Sequence, residues 1–301
     1  MIEIGKILCP TDFSNFSERA LDHALALAKW YGAEVSALHV IPKVLMPPET
    51  YPYLSEPLLP DPQARERALE ELGRFVHRAR ELGVQTEVRL EEGDAVEEIV
   101  KLAKQLPAHL VVMGTHGRRG FERLVLGSVA EKVLRKASCP VMTVTMGPEG
   151  TEASEEVLFK RILCPTDFSA CSTRALEYAL SLAKEADADL ILLHVLESVV
   201  EEAGDMAAFA LSEYRDYLKR NALERIEQAV PEDAREWCHP ASLVVSGRSY
   251  RQILNVAKKQ DADLIVMGVQ GRNAVDLALF GSTTHHVVRE AKCPVLTIRS
   301  Q

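Results

Sequence analysis

The chain repeats itself at long range. Lys6-Ile7-Leu8-Cys9-Pro10-Thr11-Asp12-Phe13-Ser14 returns 155 residues later as Arg161-Ile162-Leu163-Cys164-Pro165-Thr166-Asp167-Phe168-Ser169. Leu110-Val111-Val112-Met113-Gly114 returns 154 residues later as Leu264-Ile265-Val266-Met267-Gly268, and Cys139-Pro140-Val141 as Cys293-Pro294-Val295. Solenoid repeats run about 20–50 residues, so a period this long is the size of a whole domain. The 301 residues therefore read as two copies of one domain, since single cores stop growing near about 250 residues. The domains are expected at 1–146 and 157–301, joined by the acidic, glycine-containing linker 147–156.

Each copy alternates strand and helix. In the first, the apolar run 4–9 ends at a proline and reads as a buried strand. Residues 17–31 carry Ala20, Leu21, Ala24, Leu25, Leu27 and Ala28 at helical spacing, with Ser17 as the expected N-cap. Strands follow at 35–40, 85–90, 110–114 and 141–144, and helices at 65–82, 96–105 and 128–136; the second copy repeats the order. This alternation predicts a parallel sheet covered by helices on both faces through right-handed crossovers. Runs apolar at every residue, such as Leu264-Ile265-Val266-Met267, fit strands buried on both faces. The expected fold is α/β: two tandem, doubly wound, open, Rossmann-like sheets of five parallel strands.

In such sheets ligands collect at the carboxyl ends of strands, where strand order reverses. Two loops are expected to meet there. One is Pro10-Thr11-Asp12, and the other reads Gly114-x-x-Gly117-x9-Gly127-Ser128, with Gly268-x-x-Gly271-x9-Gly281-Ser282 in the second copy. Gly114 and Gly117 can take positive φ or admit a phosphate to the backbone. Gly127-Ser128 then opens a helix whose free amides and dipole favour an anion. A bulky residue at Gly127 is expected to block phosphate while sparing the fold. The alternative is that these glycines only make turns.

Other chemistries lack their signatures. There is no G-x-x-x-x-G-K-[ST], no G-x-G-x-x-G after the first strand, no G-x-S-x-G and no H-E-x-x-H. Adjacent helical residues diverge by about 100°, so His285-His286 makes a poor metal pair, and no metal site is expected. The net charge of −9 argues against nucleic-acid binding, which needs a basic face. The six cysteines form no CxxC pair and read as buried, reduced thiols. No apolar run approaches the roughly 20 residues of a membrane helix. The N-terminus lacks the features of a signal peptide, so a cytoplasmic location is expected.

Together these residues resemble the universal stress protein family: Pro-Thr-Asp after the first strand, Leu38-His39-Val40 and Leu193-His194-Val195 at the second, the G-x-x-G-x9-G-S loop, and the closing Cys-Pro-Val. The resemblance covers both halves and implies a tandem member with the adenine nucleotide alpha hydrolase-like fold. The glycine loop resembles that of the ATP-binding members. It implies that Asp12 and Asp167, with Pro10, Thr11, Pro165 and Thr166 beside them, lie near adenine and ribose, and that the backbones of Val40 and Val195 touch adenine. Ribose and phosphates would be held by Met113, Gly114, His116, Gly117, Arg118, Gly127, Ser128, Val129 and Ala130 in one copy. Met267, Gly268, Gly271, Arg272, Gly281, Ser282, Thr283 and Thr284 would do so in the other. The cofactor implied is ATP (or ADP/AMP), with Mg²⁺ held through its phosphates. Family members typically dimerise through the last strand, so the two copies are expected to pair as a pseudo-dimer, with a further homodimer and an unidentified protein partner left open.

The copies also differ. Thr115-His116 becomes Val269-Gln270, and Arg118-Arg119-Gly120 becomes Arg272-Asn273-Ala274. Val129-Ala130 becomes Thr283-Thr284, which supplies hydroxyls absent from the first copy. After the second strand, the first copy has a proline-rich stretch from Pro42 to Pro62, while 197–217 of the second reads as helical. Two occupied sites of unequal affinity are expected. The leading reading is a nucleotide-dependent regulator in stress response without efficient turnover. A slow ATPase using His116, Asp12 or the arginines is the first alternative, and a nucleotide-free scaffold the second.

Overall fold

The computed structural model describes residues 2–43, 62–117, 126–146, 159–197, 205–238, 240–270 and 280–299. The linker 147–156, most of the proline-rich stretch, Arg118, Gly271 and Arg272 lie outside them. The chain divides into two compact units, Glu3–Val144 and Thr145–Gln301 together with Met1–Ile2.

The first unit runs β1 (Lys6–Pro10), α1 (Asn15–Tyr31), β2 (Glu34–Ile41), α2 (Pro62–Phe75), α3 (His77–Glu81), β3 (Thr86–Glu92), α4 (Ala95–Gln105), β4 (Leu110–Gly114), α5 (Ser128–Lys136) and β5 (Val141–Val144). The second runs β6 (Arg161–Pro165), α6 (Ala170–Ala186), β7 (Asp189–Leu196), α7 (Asp205–Ala229), α8 (Ala234–Trp237), β8 (Ala241–Ser246), α9 (Ser249–Lys259), β9 (Leu264–Gly268), α10 (Ser282–Glu290) and β10 (Val295–Ile298).

Within the first unit the strand order is β3-β2-β1-β4-β5, and within the second β8-β7-β6-β9-β10. The strand pairings within each unit are parallel, with Lys6 opposite Glu34, Leu8 opposite Val111 and Val111 opposite Val141. Order therefore reverses between β1 and β4 and between β6 and β9, and a crevice forms at their carboxyl ends. The central strands are apolar because both faces are covered: Leu8, Val111, Leu163 and Ile265 are fully buried.

Two local expectations need correction. The cap of α1 is Ser14, not Ser17; the Ser14 side chain accepts from the Ser17 amide, and Ser17 is already helical and buried. The helix expected over 65–82 is broken at Val76, whose φ of −91° and ψ of 0° leave the α-region. Val76 packs against Leu72 and Ala37, and Ala79 beyond the break is also fully buried. The break thus keeps both α2 and α3 facing the core. Arg78 then ties α3 to α1 through a 2.8 Å ion pair with Asp22.

Candidate functional site

The loop after β1 is held by its own side chains. Asp12 Oδ1 accepts from the Ser14 hydroxyl at 2.6 Å and from the Ser14 amide at 3.2 Å, an Asx-type turn. Thr11 Oγ1 accepts from the Phe13 amide at 2.9 Å and donates to Ser17 Oγ at 3.0 Å. The second copy repeats this: Asp167 Oδ1 accepts from the Ser169 amide at 3.0 Å and Thr166 Oγ1 from the Phe168 amide at 3.0 Å. These bonds force Phe13 and Phe168 to φ of 60° and 61°. That region is costly for a bulky L-residue and is held only where surrounding contacts over-determine it.

The neighbouring strand supplies those contacts. His39 Nδ1 lies 2.8 Å from the Thr11 carbonyl and His194 Nδ1 2.7 Å from the Thr166 carbonyl; each donates, because the carbonyl can only accept. The same rings lie 4.5 Å and 4.7 Å from Phe13 and Phe168. Sequence reasoning assigned a role to Val40 and Val195 and missed the histidines before them, although His at one position in both copies was a legible signal. Val40 and Val195 sit at the carboxyl ends of β2 and β7, opposite Glu91 and Val245.

The glycine loop follows β4. Thr115 N donates to the Val144 carbonyl at 2.9 Å and Gly127 N to the Thr115 carbonyl at 2.8 Å, which draws the start of α5 back over the end of β4. In the second copy Val269 N and Gly281 N make the equivalent bonds to Ile298 and Val269. Gly127 and Gly281 are the N-caps, and neither helix has a side-chain cap. Each first turn therefore presents free amides at the positive end of the helix dipole. Ser128 and Ser282 are exposed there, beside Val129 and Thr283.

The glycines separate into two kinds. None of Gly114, Gly117, Gly127, Gly268 and Gly281 has positive φ, so steric room, not backbone freedom, is what they supply. A Cβ on Gly114 would lie 2.8 Å from Phe16 Cβ and one on Gly268 2.8 Å from Cys171 Cβ, both close-packed neighbours. On Gly127 it would lie 2.9 Å from the Thr115 carbonyl oxygen, and on Gly281 2.8 Å from that of Val269. These four are required by the loop itself, so a bulky residue at Gly127 perturbs the fold, contrary to expectation. Gly117 differs: its Cβ would meet the Asp12 carboxylate at 2.6 Å, the far end of a movable side chain. Gly117 is thus where the two loops converge.

The remaining residues fall at different depths. Met113 and Met267 are 5% and 4% exposed and pair with Thr143 and Thr297, so they can offer backbone only. Pro10 and Pro165 close β1 and β6 opposite Leu38 and Leu193. Ala130 is buried, and at the matching place the Thr284 hydroxyl hydrogen-bonds to the Gly268 carbonyl at 3.0 Å. His116 packs its ring 5.0 Å from Phe16, and its Nδ1 lies 3.0 Å from Thr115 Oγ1. Cys9 and Cys164 behind the site are fully buried, and burial pushes both thiols up to about 12, which suits inert core residues. Among the described residues no group of three or more His, Cys, Asp or Glu could hold a metal ion. None of their helices is long and apolar enough to cross a membrane.

A duplicated, doubly wound α/β domain with a two-loop crevice at each switch point is the class defined by fold and site. The chain belongs to the universal stress protein family, whose sequence model matches residues 3–145 and 158–299. A universal stress protein of Methanocaldococcus jannaschii is 41% identical over 143 residues, 46% of this chain and 81% of that protein. One from Mycolicibacterium smegmatis is 27% identical across 97% of this chain and 96% of its own length. The crystal structure of a universal stress protein from Archaeoglobus fulgidus superposes with a TM-score of 0.69 at 27% identity, covering 99% of this chain and 97% of that one.

Proposed function

We propose that each half binds one adenine nucleotide, ATP or its ADP/AMP relatives, in its switch-point crevice, and that the protein is a cytoplasmic, nucleotide-dependent regulator in stress response. The observation that carries this reading is the glycine-capped helix start without a side-chain cap, drawn over the end of β4 and repeated over the end of β9. Free amides at such a start, joined by the glycine-loop backbone, fit phosphate oxygens. Asp12 and Asp167, fixed by their turns, would face the nucleoside together with the backbone of Val40 and Val195. Mg²⁺ would be held through the phosphates.

Regulation is favoured over turnover by one asymmetry. His116, the acid–base group of the glycine loop, is Gln270 in the second copy. A slow ATPase confined to the first half is the second reading, and it requires multiple-turnover phosphate release that disappears in His116→Ala.

The test begins with freshly purified protein, denatured so that any released nucleotide is identified by mass spectrometry. The stripped protein is then titrated with ATP. Two sites of micromolar affinity, about −8 kcal/mol each, are expected. Asp12→Asn and Asp167→Asn keep an oxygen acceptor for each turn, so each is expected to weaken one site and spare the other. No nucleotide and no binding would leave the scaffold reading in its place.

A further inference from the structure

We infer that the first site takes up a proton when it binds its phosphate, through His116, and that the second does not. This rests on the nucleotide reading above and adds a regulation of the same site.

The argument starts from a hydrogen-bond chain. Thr115 is 4% exposed, and its hydroxyl donates its single hydrogen to the Val144 carbonyl at 3.3 Å. With that hydrogen on Val144, Oγ1 accepts from His116 Nδ1, 3.0 Å away, which assigns the ring hydrogen to Nδ1. In the neutral ring Nε2 is left as a bare acceptor. That atom is buried and has no hydrogen-bond partner among the described residues. A buried polar atom without a partner is costly and marks a place where a ligand can supply one.

The chain fixes what that ligand can be. An ionised phosphate oxygen is an acceptor and cannot pair with a bare Nε2 while the Thr115 hydroxyl stays on Val144. It can pair with the imidazolium, whose Nε2 bears a hydrogen while Nδ1 keeps its bond to Thr115. Phosphate binding at this atom therefore brings a proton with it, and affinity falls as pH rises. A donor such as the adenine amino group or a ribose hydroxyl would instead meet the neutral ring, with no uptake. The sign of the pH dependence thus reports which end of the nucleotide lies at His116.

The surroundings do not supply this behaviour by another route. α1 presents the Phe16 ring, while Thr115 just after β4 and the Val144 carbonyl of β5 complete the hydrogen-bond chain. The loop after β1 brings the Asp12 carboxylate to Gly117. α5 carries Glu131, paired with Arg135 at 3.0 Å. Arg118, Arg119, Glu122 and Arg123 follow in the sequence beyond the described residues, and arginines stay charged throughout. The second copy has Val269 and Gln270 at the equivalent positions, with neither the hydroxyl nor the ring.

The experiment is calorimetric titration of the stripped full-length chain with ATP from pH 8 to pH 5.5, in buffers of different ionisation enthalpy. Expected is net uptake approaching one proton per chain, assigned to one site, with affinity there rising up to about tenfold per pH unit lowered. His116→Gln should abolish the uptake. Val269→Thr with Gln270→His should install it at the second site, a gain that no misfolded variant can mimic. Two-site binding with the same proton uptake in wild type and His116→Gln overturns the inference alone. Proton release through His116 overturns it in favour of a nucleoside contact. No binding at any pH removes the nucleotide reading and this inference with it.

Discussion

The two halves share a crevice and differ in what stands behind it. In the first, His23 lies buried in α1 with its Nδ1 2.8 Å from the Arg19 carbonyl; in the second, 155 residues on, stands Tyr178, also buried. In the first, Phe13 meets the ring of Phe75 edge-on at 6.2 Å; in the second, the Arg225 guanidinium lies 3.9 Å over Phe168. The Thr–Phe and Asp–Ser amide bonds of the loop, the positive φ of the phenylalanine and the close approach of Gly114 and Gly268 to the following helices recur in both. After duplication, the residues that fold the loop after the first strand stayed alike, while Thr115-His116 of the glycine loop and the groups behind the crevice changed chemistry.

The largest expected break between the halves is in acid. Burial lowers the His23 imidazole from the ordinary 6.5 to about 4, so the fold holds it neutral while the unfolded chain protonates it. Its contribution is therefore complete above pH 6.5 and is lost as pH falls toward 4, on the order of 3 kcal/mol across that window. The second half has no such group at this place, so the first should unfold at the milder acid. Denaturant unfolding between pH 7.5 and 4.5, followed by Trp30 in a Trp237→Phe background, reads the first half. His23→Tyr, which installs the second half's residue, should flatten the dependence; an unchanged slope would mean that other groups set the acid sensitivity.

The next comparison should show sameness. Gly114→Ala and Gly268→Ala each drive a Cβ to 2.8 Å from the Cβ of a packed neighbour and to 3.0 Å from backbone, so each should destabilise its half by about 1–3 kcal/mol. Gly117→Ala has only the Asp12 carboxylate to displace and should cost far less stability while weakening ATP at the first site. Thermal unfolding and ATP titration of the three variants separate packing from binding. Equal stability losses at Gly114 and Gly117 would dissolve the distinction between the two kinds of glycine.

That distinction marks where the sequence was readable. The internal repeat and the apolar runs revealed the fold class and the strand order's consequence, a crevice after β1 and β4, because burial on both faces leaves a strong imprint on composition. The glycine motif was visible too, but its meaning was mixed. Nothing in G-x-x-G-x9-G-S says that Gly114 and Gly127 are there for Phe16 and the Thr115 carbonyl, since those contacts join distant segments. Ser17 was the expected cap, and the turn at Asp12 that fixes Ser14 moves the cap three residues earlier. His39 was missed because its partner, the Thr11 carbonyl, lies 28 residues away in the loop after β1.

The smallest expected difference concerns Phe75 and Arg225. A guanidinium over an aromatic face contributes about 0.5–1 kcal/mol when exposed, as Arg225 is. A double-mutant cycle of Arg225→Ala with Phe168→Leu should recover a coupling of that size, since it cancels the separate cost of altering a residue at positive φ. The first half carries Arg118-Arg119 in its sequence where the second has Arg272-Asn273, and Arg225 on α7 brings a positive charge to Phe168 in the loop after β6. If that charge reaches the ligand, Arg225→Ala and Arg225→Gln both weaken ATP at the second site, and the loss shrinks with added salt. If affinity is unchanged while the cycle still shows coupling, Arg225 only braces Phe168, and the charge difference between the two glycine loops stands uncompensated.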